Sequence, residues 1–377
     1  MERRRGAKPF PGAASQVKVA LAHEYFAAWG GAERVALELH ALWPDAPVYT
    51  LFHERRHEKT LSGWPLRTSW LQRLPLGNGR HRLLLPLLPR AVESLRVEDT
   101  DVVVSSASAF IKGLRVPEGA RHVCYCHSPT RYLWDWSEEY LREEVPALAR
   151  PFVRPLLDDL RAWDRAAASR VDRFVANSAT VRERIRRCYG RDAEMVHPPV
   201  DVGAHPLREE RDDFYLVVSR LVPYKAVDVA VRAFNELGLR LKIVGEGRAR
   251  GRLERMAREN VEFLGRQPDA QVWELLAVAR GLVFPAEDDF GIVCVEALAS
   301  GRPVIALARG GATEIVEDGH TGVLFSEPTP DALADAVRRA ESMRFDPREL
   351  RRAAERFDAS IFREKMRRIV EEELRKR

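Results

Sequence analysis

What most constrains this chain is a double series of short apolar runs, each ending in a polar or glycine-bearing turn. The first series is Val17–Ala22, Val48–Leu51, Asp101–Ser105, His122–Cys126 and Arg173–Ala176, with a helical pattern over Ala32–Leu42 after its first run. Short apolar strands that alternate with helices are buried on both faces, which argues for a parallel sheet. His197-Pro-Pro-Val-Asp201 breaks the pattern, and the polar stretch to Asp212 reads as a linker. A second series follows at Phe214–Ser219, Leu239–Val244, Val261–Leu264, Gly281–Phe284, Pro303–Ala306 and Gly322–Phe325. Helices over Ala226–Leu237 and Gly291–Ser300 fill two of its gaps, and from Pro330 onward the chain is helical, charged and strandless.

The expectation is an α/β chain of two Rossmann-like, doubly wound parallel-sheet domains facing each other across a cleft. The divisions are a loose tail over 1–16, a first domain over 17–200, a second over 201–345, and a helical segment over 346–377 that returns to the first domain. The 377 residues are enough for two such cores. A formal charge of +5 suits a phosphate-bearing ligand or an anionic membrane surface. No zinc-finger, RNA-recognition or basic-aromatic pattern points to nucleic acid. Cys124, Cys126, Cys188 and Cys294 have the spacing of neither a zinc site nor a disulfide framework, which fits a reduced, cytoplasmic setting. The basic, Pro/Gly/Ala-rich stretch Met1–Gln16 lacks the apolar core of a signal peptide, and no run is long enough to span a bilayer.

Ligands of open parallel sheets bind beyond the carboxyl ends of the strands, so the residues just after each run carry the functional reading. In Phe284-Pro-Ala-Glu-Asp-Asp-Phe-Gly-Ile-Val-Cys-Val-Glu296 a strand ends in an acidic turn and a Phe290-Gly291 step opens a helix. Free amides at Gly291, Ile292 and Val293 form an anion site for a diphosphate. Asp288 and Glu296, with seven residues between them, are placed for a sugar hydroxyl and for ribose hydroxyls; the plainer alternative is a helix cap and a solvated helix residue. Arg220 and Lys225, after the first strand of the second series, converge on one diphosphate unless they are merely surface cations. Gly245, in Val244-Gly-Glu-Gly-Arg-Ala-Arg-Gly251, imitates a dinucleotide fingerprint at the wrong place in the chain. In the first domain Gly30 and Gly31 open a glycine turn, and His127 ends Cys124-Tyr-Cys-His. Ser178 reads as a helix cap, and Glu314 divides evenly between sugar contact and capping. Gly79–Arg90, basic at its ends and apolar between, is either a shallow membrane contact or a packed helix.

The string around Asp288 and Glu296 resembles the E-x7-E region of family 4 glycosyltransferases, which have the GT-B fold, and the resemblance runs from Val17 to about Phe325. It implies a nucleoside-diphosphate sugar donor held by Arg220 and Lys225 at the pyrophosphate. It puts Asp288, with Glu287 beside it, at the transferred sugar, Glu296 at the ribose and Gly245 near the base. Gly30 and Gly31 would border the donor phosphates, His127 would stabilise the reacting centre, and Arg131 and Trp134 would line the acceptor side. The resemblance implies sugar transfer with retained configuration and no essential metal or other cofactor. Gly30–Arg34, Thr68–Pro75 and Tyr125–Trp134 look most like GDP-mannose-dependent mannosyltransferases of surface-polysaccharide assembly. Such a protein meets a glycan or lipid-linked acceptor at the inner face of the membrane as a peripheral protein. The competing readings are a sugar-nucleotide epimerase on the same fold and a non-catalytic nucleotide-sugar-binding subunit.

Overall fold

A computed structural model describes residues 17–27, 29–74 and 80–376. The chain divides into two compact units, one holding residues up to Asn177 together with Val181–Val196 and the chain from Arg363, the other holding Ser178–Thr180 and His197–Phe362. The proposed tail Met1–Gln16, together with Pro75 and Gly79, lies outside the described residues.

The first unit carries a seven-stranded sheet: β1 (Val19–His23), β2 (Val48–Thr50), β3 (Leu66–Thr68), β4 (Val102–Ala107), β5 (Arg121–Cys126), β6 (Arg173–Ala176) and β7 (Ala193–Met195). The strands lie in the order β3-β2-β1-β4-β5-β6-β7, and every pairing is parallel. The second unit carries β8 (Tyr215–Val218), β9 (Leu241–Val244), β10 (Val261–Gly265), β11 (Leu282–Phe284), β12 (Val304–Leu307) and β13 (Gly322–Phe325). Their order is β10-β9-β8-β11-β12-β13, again all parallel. Each sheet grows outward in both directions from its first strand, so each has a switch point, at β1/β4 and at β8/β11.

Alternation along the strands feeds both faces of the second sheet. Phe214, Leu216, Val304 and Ala306 enter one core with the helices Asp269–Val278 and Ile292–Ala299. Tyr215, Val217, Ile305 and Leu307 enter the other with the helices Val227–Leu237 and Pro330–Glu341. Each Val, Leu, Ile or Phe among them contributes roughly 1.5–3 kcal/mol on full burial. The stretch read as a linker is not a loose tether. Within it Val200 N–H donates to Phe357 O at 3.1 Å, and Val200 O accepts from Ala359 N–H at 2.9 Å.

β3 and β7 do not read as apolar runs. Both are three-residue edge strands with partly exposed side chains, so neither needs a buried pattern. At the end of the Gly79–Arg90 stretch and just past it, Leu85, Leu88, Ala91 and Val92 are buried in the first core, which decides this part in favour of packing. No described helix is long and apolar enough to cross a membrane.

Two buried polar devices brace the first unit. Glu24, 1% exposed, accepts the backbone N–H groups of Ala109 (3.1 Å), Phe110 (2.8 Å) and Ile111 (3.2 Å), tying the loop after β1 to the loop after β4. Lys112 and Asp164, both essentially inaccessible, form an ion pair. Thr130 donates to Asp164 Oδ1 at 3.0 Å, while Trp134 Nε1–H (2.8 Å) and Tyr189 O–H (2.7 Å) donate to Oδ2.

His122 gives a pH dependence. Burial pushes it down to about 4 from its ordinary 6.5, with Ser105 Oγ 2.8 Å from its Nε2. The unfolded chain therefore takes up a proton near pH 6.5 that the folded chain refuses until about pH 4. Stability from this group is complete above pH 6.5 and declines between 6.5 and 4, by roughly 3 kcal/mol in all. Urea unfolding across that range shows the decline, and His122→Asn makes it shallower, the contribution of His127 remaining.

Candidate active site

In the second unit the loops after β8 and β11 meet at the switch point. Lys225 ends a short turn, Pro223–Lys225, and its ammonium forms an ion pair with the Asp288 carboxylate from the loop after β11. Their side chains are 12% and 19% exposed, so neither is a free surface charge. Arg220 is exposed and donates to the Tyr224 hydroxyl. Its Cζ lies 5.8 Å from the Tyr224 ring centroid, and Lys225 Nζ lies 5.5 Å from the same centroid. Both cations are thus gathered round one aromatic ring at the carboxyl end of the sheet.

Asp288 is three residues before Gly291, the N-cap of the helix Ile292–Ala299. Gly291 has φ +93°, a left-handed conformation that a side chain would strain. The cap is therefore this glycine rather than Asp288 or Asp289. Gly291, Ile292 and Val293 are partly exposed, whereas Phe290 is buried, stacked on His197 at 5.3 Å and edge-on to Phe357 at 5.6 Å. Phe290 thus fixes the helix start from behind. Glu287 is exposed. Glu296, 4% exposed, is no solvated helix residue: Trp273 Nε1–H donates to its Oε1 at 3.3 Å, and His205 Nε2 lies 3.8 Å from the same atom.

Neighbouring loops touch main chain to main chain here. A Cβ at Gly245 would stand 1.8 Å from Ser219 O, beside Arg220, and one at Gly310 would stand 2.2 Å from Asp288 O. Gly311 N–H donates to Asp288 O at 2.9 Å. Glu314, in the short helix Ala312–Ile315, accepts from Ala179 N–H at 2.8 Å and faces His197 Nε2 at 3.1 Å. Its carboxylate is occupied by a helix start and an imidazole.

In the first unit Gly30 and Gly31 are exposed where the helix Gly31–Leu42 begins. Gly30 N–H donates to Glu33 Oε2 at 2.9 Å, the backbone half of a capping box. His127 follows β5 and is partly buried; its Nε2 lies 2.8 Å from Ser106 Oγ, and its carbonyl accepts from Asn177 Nδ2 at 3.0 Å. Loss of water, reinforced by His23, pushes His127 down to about 3, so its ring is neutral near pH 7. Trp134 spends its indole N–H on Asp164, with Arg161 and Arg165 over its ring at 5.8 and 5.1 Å. Arg131 lies over Trp136 at 5.0 Å. Among the described residues no cluster of His, Cys, Asp or Glu is placed to hold a metal ion. Sequence reasoning missed Tyr224, whose signal was its position between the two cations, and His23, Glu33 and Ser106, whose distant placement gave no signal.

Comparison with known proteins bears on the fold and the family. Residues 29–203 match the family model described as Glycosyltransferase Family 4, and residues 204–357 match the one described as Glycosyl transferases group 1. An uncharacterized glycosyltransferase of Methanocaldococcus jannaschii is 33% identical over 130 residues, 33% of this chain and 37% of that protein. A D-inositol 3-phosphate glycosyltransferase of Nocardia farcinica is 31% identical over 209 residues, 46% of each protein. The chain spans less than half the length of these curated relatives. Sucrose-phosphate synthase from Thermosynechococcus elongatus superposes with a TM-score of 0.71 at 18% identity, covering 95% of this chain and 99% of that one. Anabaena HepE in complex with UDP-glucose superposes with a TM-score of 0.69 at 18% identity, covering 95% and 100%. The two parallel-sheet units thus have the GT-B fold. With the two family models succeeding one another across residues 29–357, the chain belongs to the family 4 glycosyltransferases.

Proposed function

We propose that this protein moves a sugar from a nucleoside diphosphate to a hydroxyl of a glycan or lipid-linked acceptor, with the anomeric configuration retained. The observation that carries this reading is the Lys225–Asp288 pair at the β8/β11 switch point, beside Arg220 and the amides that begin at Gly291. An entering diphosphate offers Lys225 a stronger partner than Asp288. Lys225 turns to the phosphates, and the released Asp288 carboxylate accepts from a hydroxyl of the sugar. Charge that builds on the departing diphosphate is met by Arg220, by the redirected Lys225 and by the helix-start amides of Gly291, Ile292 and Val293, which the helix holds in place and which cost little reorganisation. These groups do the work a divalent cation does elsewhere, so no essential metal is proposed. Glu296 takes the ribose, Gly245 lets the nucleotide approach the backbone, and His127 contacts the transferred sugar.

The donor we favour is GDP-mannose, on the resemblance of Gly30–Arg34 and Tyr125–Trp134 to mannosyltransferases of surface-polysaccharide assembly. UDP-glucose, the ligand of HepE, is its competitor. The acceptor sits at the inner face of a membrane, which the protein meets from the cytoplasm. Leu148 and Phe152, 92% and 80% exposed in the arginine-rich stretch that opens the helix Arg150–Ser169, support such a peripheral contact. No observation favours the epimerase or the non-catalytic subunit.

Thermal unfolding in the presence of GDP-mannose, UDP-glucose and UDP-GlcNAc tests the reading. A bound donor raises Tm by mass action, by about 2.7 kcal/mol of stability at a hundredfold excess over Kd. The product anomer, read by NMR with acceptor carried in anionic vesicles, then tests retention. Absence of stabilisation by every nucleotide sugar would overturn the proposal.

A further inference from the structure

His23, Ser106, His127 and Glu33 form a polar chain for which the transfer chemistry above accounts only at one end. His23 and Ser106 are 83 residues apart in sequence, Ser106 and His127 are 21 apart, and strand register brings them together. His23 and Ser106 are direct partners across β1 and β4, and Ser106 is the partner of Tyr125 across β4 and β5. His127 lies two residues beyond Tyr125, on the same side of the sheet by the period of two. Ser106 Oγ stands between the rings, 3.1 Å from His23 Nδ1 and 2.8 Å from His127 Nε2. On its far side His23 presents Nε2 to Glu33 Oε1 at 3.7 Å and makes no hydrogen bond there among the described residues. His23 and Ser106 are 2% and 1% exposed, Glu33 is 9% exposed, and His127 alone is partly open.

A serine hydroxyl has one proton, so it donates to one imidazole and accepts from the other. The carboxylate decides which. At 3.7 Å, in a buried site, a negative charge opposes a ring lone pair and favours a proton on His23 Nε2. With its proton on Nε2, His23 presents a bare Nδ1, which accepts from Ser106 O–H. The Ser106 oxygen in turn accepts from His127 Nε2–H, and the remaining nitrogen of His127, Nδ1, is left bare. We propose that Glu33 and His23 act through Ser106 as positioning residues that hold His127 in its Nε2–H tautomer, so that its Nδ1 recognises a ligand by accepting from a hydroxyl. The burial that keeps His127 neutral lets a tautomer, rather than a charge, carry the information. Glu33 also holds Gly30 N–H through its other oxygen, so the same carboxylate sets the glycine turn and the direction of the chain. The identification of that hydroxyl as one of a sugar rests on the proposed transfer; the tautomer does not.

Nitrogen-15 NMR of the histidine-labelled protein, with His127 assigned by its loss in His127→Asn, reads the tautomer directly. The wild-type protein shows protonated Nε2 and bare Nδ1 at His127. Ser106→Ala cuts the chain and Glu33→Gln removes the charge that orients it, and each lowers the tautomer ratio at least threefold. A wild-type protein with Nδ1–H at His127 overturns the proposal without need of any variant, and so does a ratio unchanged in both variants. If His127 holds the stated tautomer but no nucleotide sugar stabilises the protein, the transfer reading fails and the relay stands.

Discussion

Lys225→Ala weakens the binding of a nucleoside diphosphate by roughly 30-fold to over 1,000-fold, and leaves the fold intact. Truncating one partner of a desolvated, hydrogen-bonded charge pair costs about 2–5 kcal/mol, and each 1.4 kcal/mol is a factor of ten. Two effects add in this variant. The diphosphate loses a cation that is only 12% exposed, and Asp288 is left as an unopposed negative charge where the phosphates must enter. Lys225→Arg restores only part of the loss, because a planar fork replaces a point charge on a flexible stem. Asp288→Asn has the opposite signature: it frees Lys225, so diphosphate affinity holds or rises while turnover falls. Calorimetric titration with GDP and UDP separates the two variants. Equal affinity in wild type and Lys225→Ala would remove the cationic clamp from the mechanism.

Asp164→Ala destabilises the first unit by about 3–5 kcal/mol, the cost of orphaning a buried charge. Asp164 is inaccessible and satisfies Lys112, Thr130, Trp134 and Tyr189 together. Its removal strands an ammonium in the core and leaves an indole and a phenol without their acceptor. Pairing it with Lys112→Met recovers much of the loss, because the stranded charge rather than the lost bridge dominates. Urea unfolding of the single and double variants measures the difference. A double variant no more stable than Asp164→Ala would place the cost in the hydroxyl and indole bonds instead.

The residues legible in the sequence were those whose chemistry is local. Ser219–Lys225 and Phe284–Gly291 announced themselves because each is a strand end followed by charged and glycine or proline residues within a few positions. That Lys225 pairs with Asp288, 63 residues on, was not legible, since β8 and β11 are neighbours only through the sheet order. The Glu33–His23–Ser106–His127 chain was hidden for the same reason: it follows from register, and no spacing in the sequence encodes register. The sequence also did not show the partners of two residues assigned by resemblance: Trp134, read as acceptor-side, gives its N–H to Asp164, and Phe290, read as donor-side, braces the helix start from the core. The edge strands β3 and β7 escaped because an edge needs backbone partners on one side only and no apolar run.

The contacts at Gly245 and Gly310 bear on how selectivity can change. The carbonyls of Ser219 and Asp288 abut neighbouring main chain with no side chain interposed, so the heights of Arg220 and Asp288 are set by covalent geometry and not by rotamer choice. Glu246 and Arg248, on the same turn as Gly245, are exposed, and although the Glu246 carbonyl accepts from Leu221 N–H at 2.9 Å, a change of side chain at either position leaves that main-chain bond in place. If the proposed donor site is right, replacing their side chains alters what is read beyond the phosphates while the main-chain rim stays where it is. In the proposed donor site, exchange of one nucleotide base for another is therefore a matter of decorating this turn, whereas an insertion or deletion within it displaces the main-chain contact at Ser219.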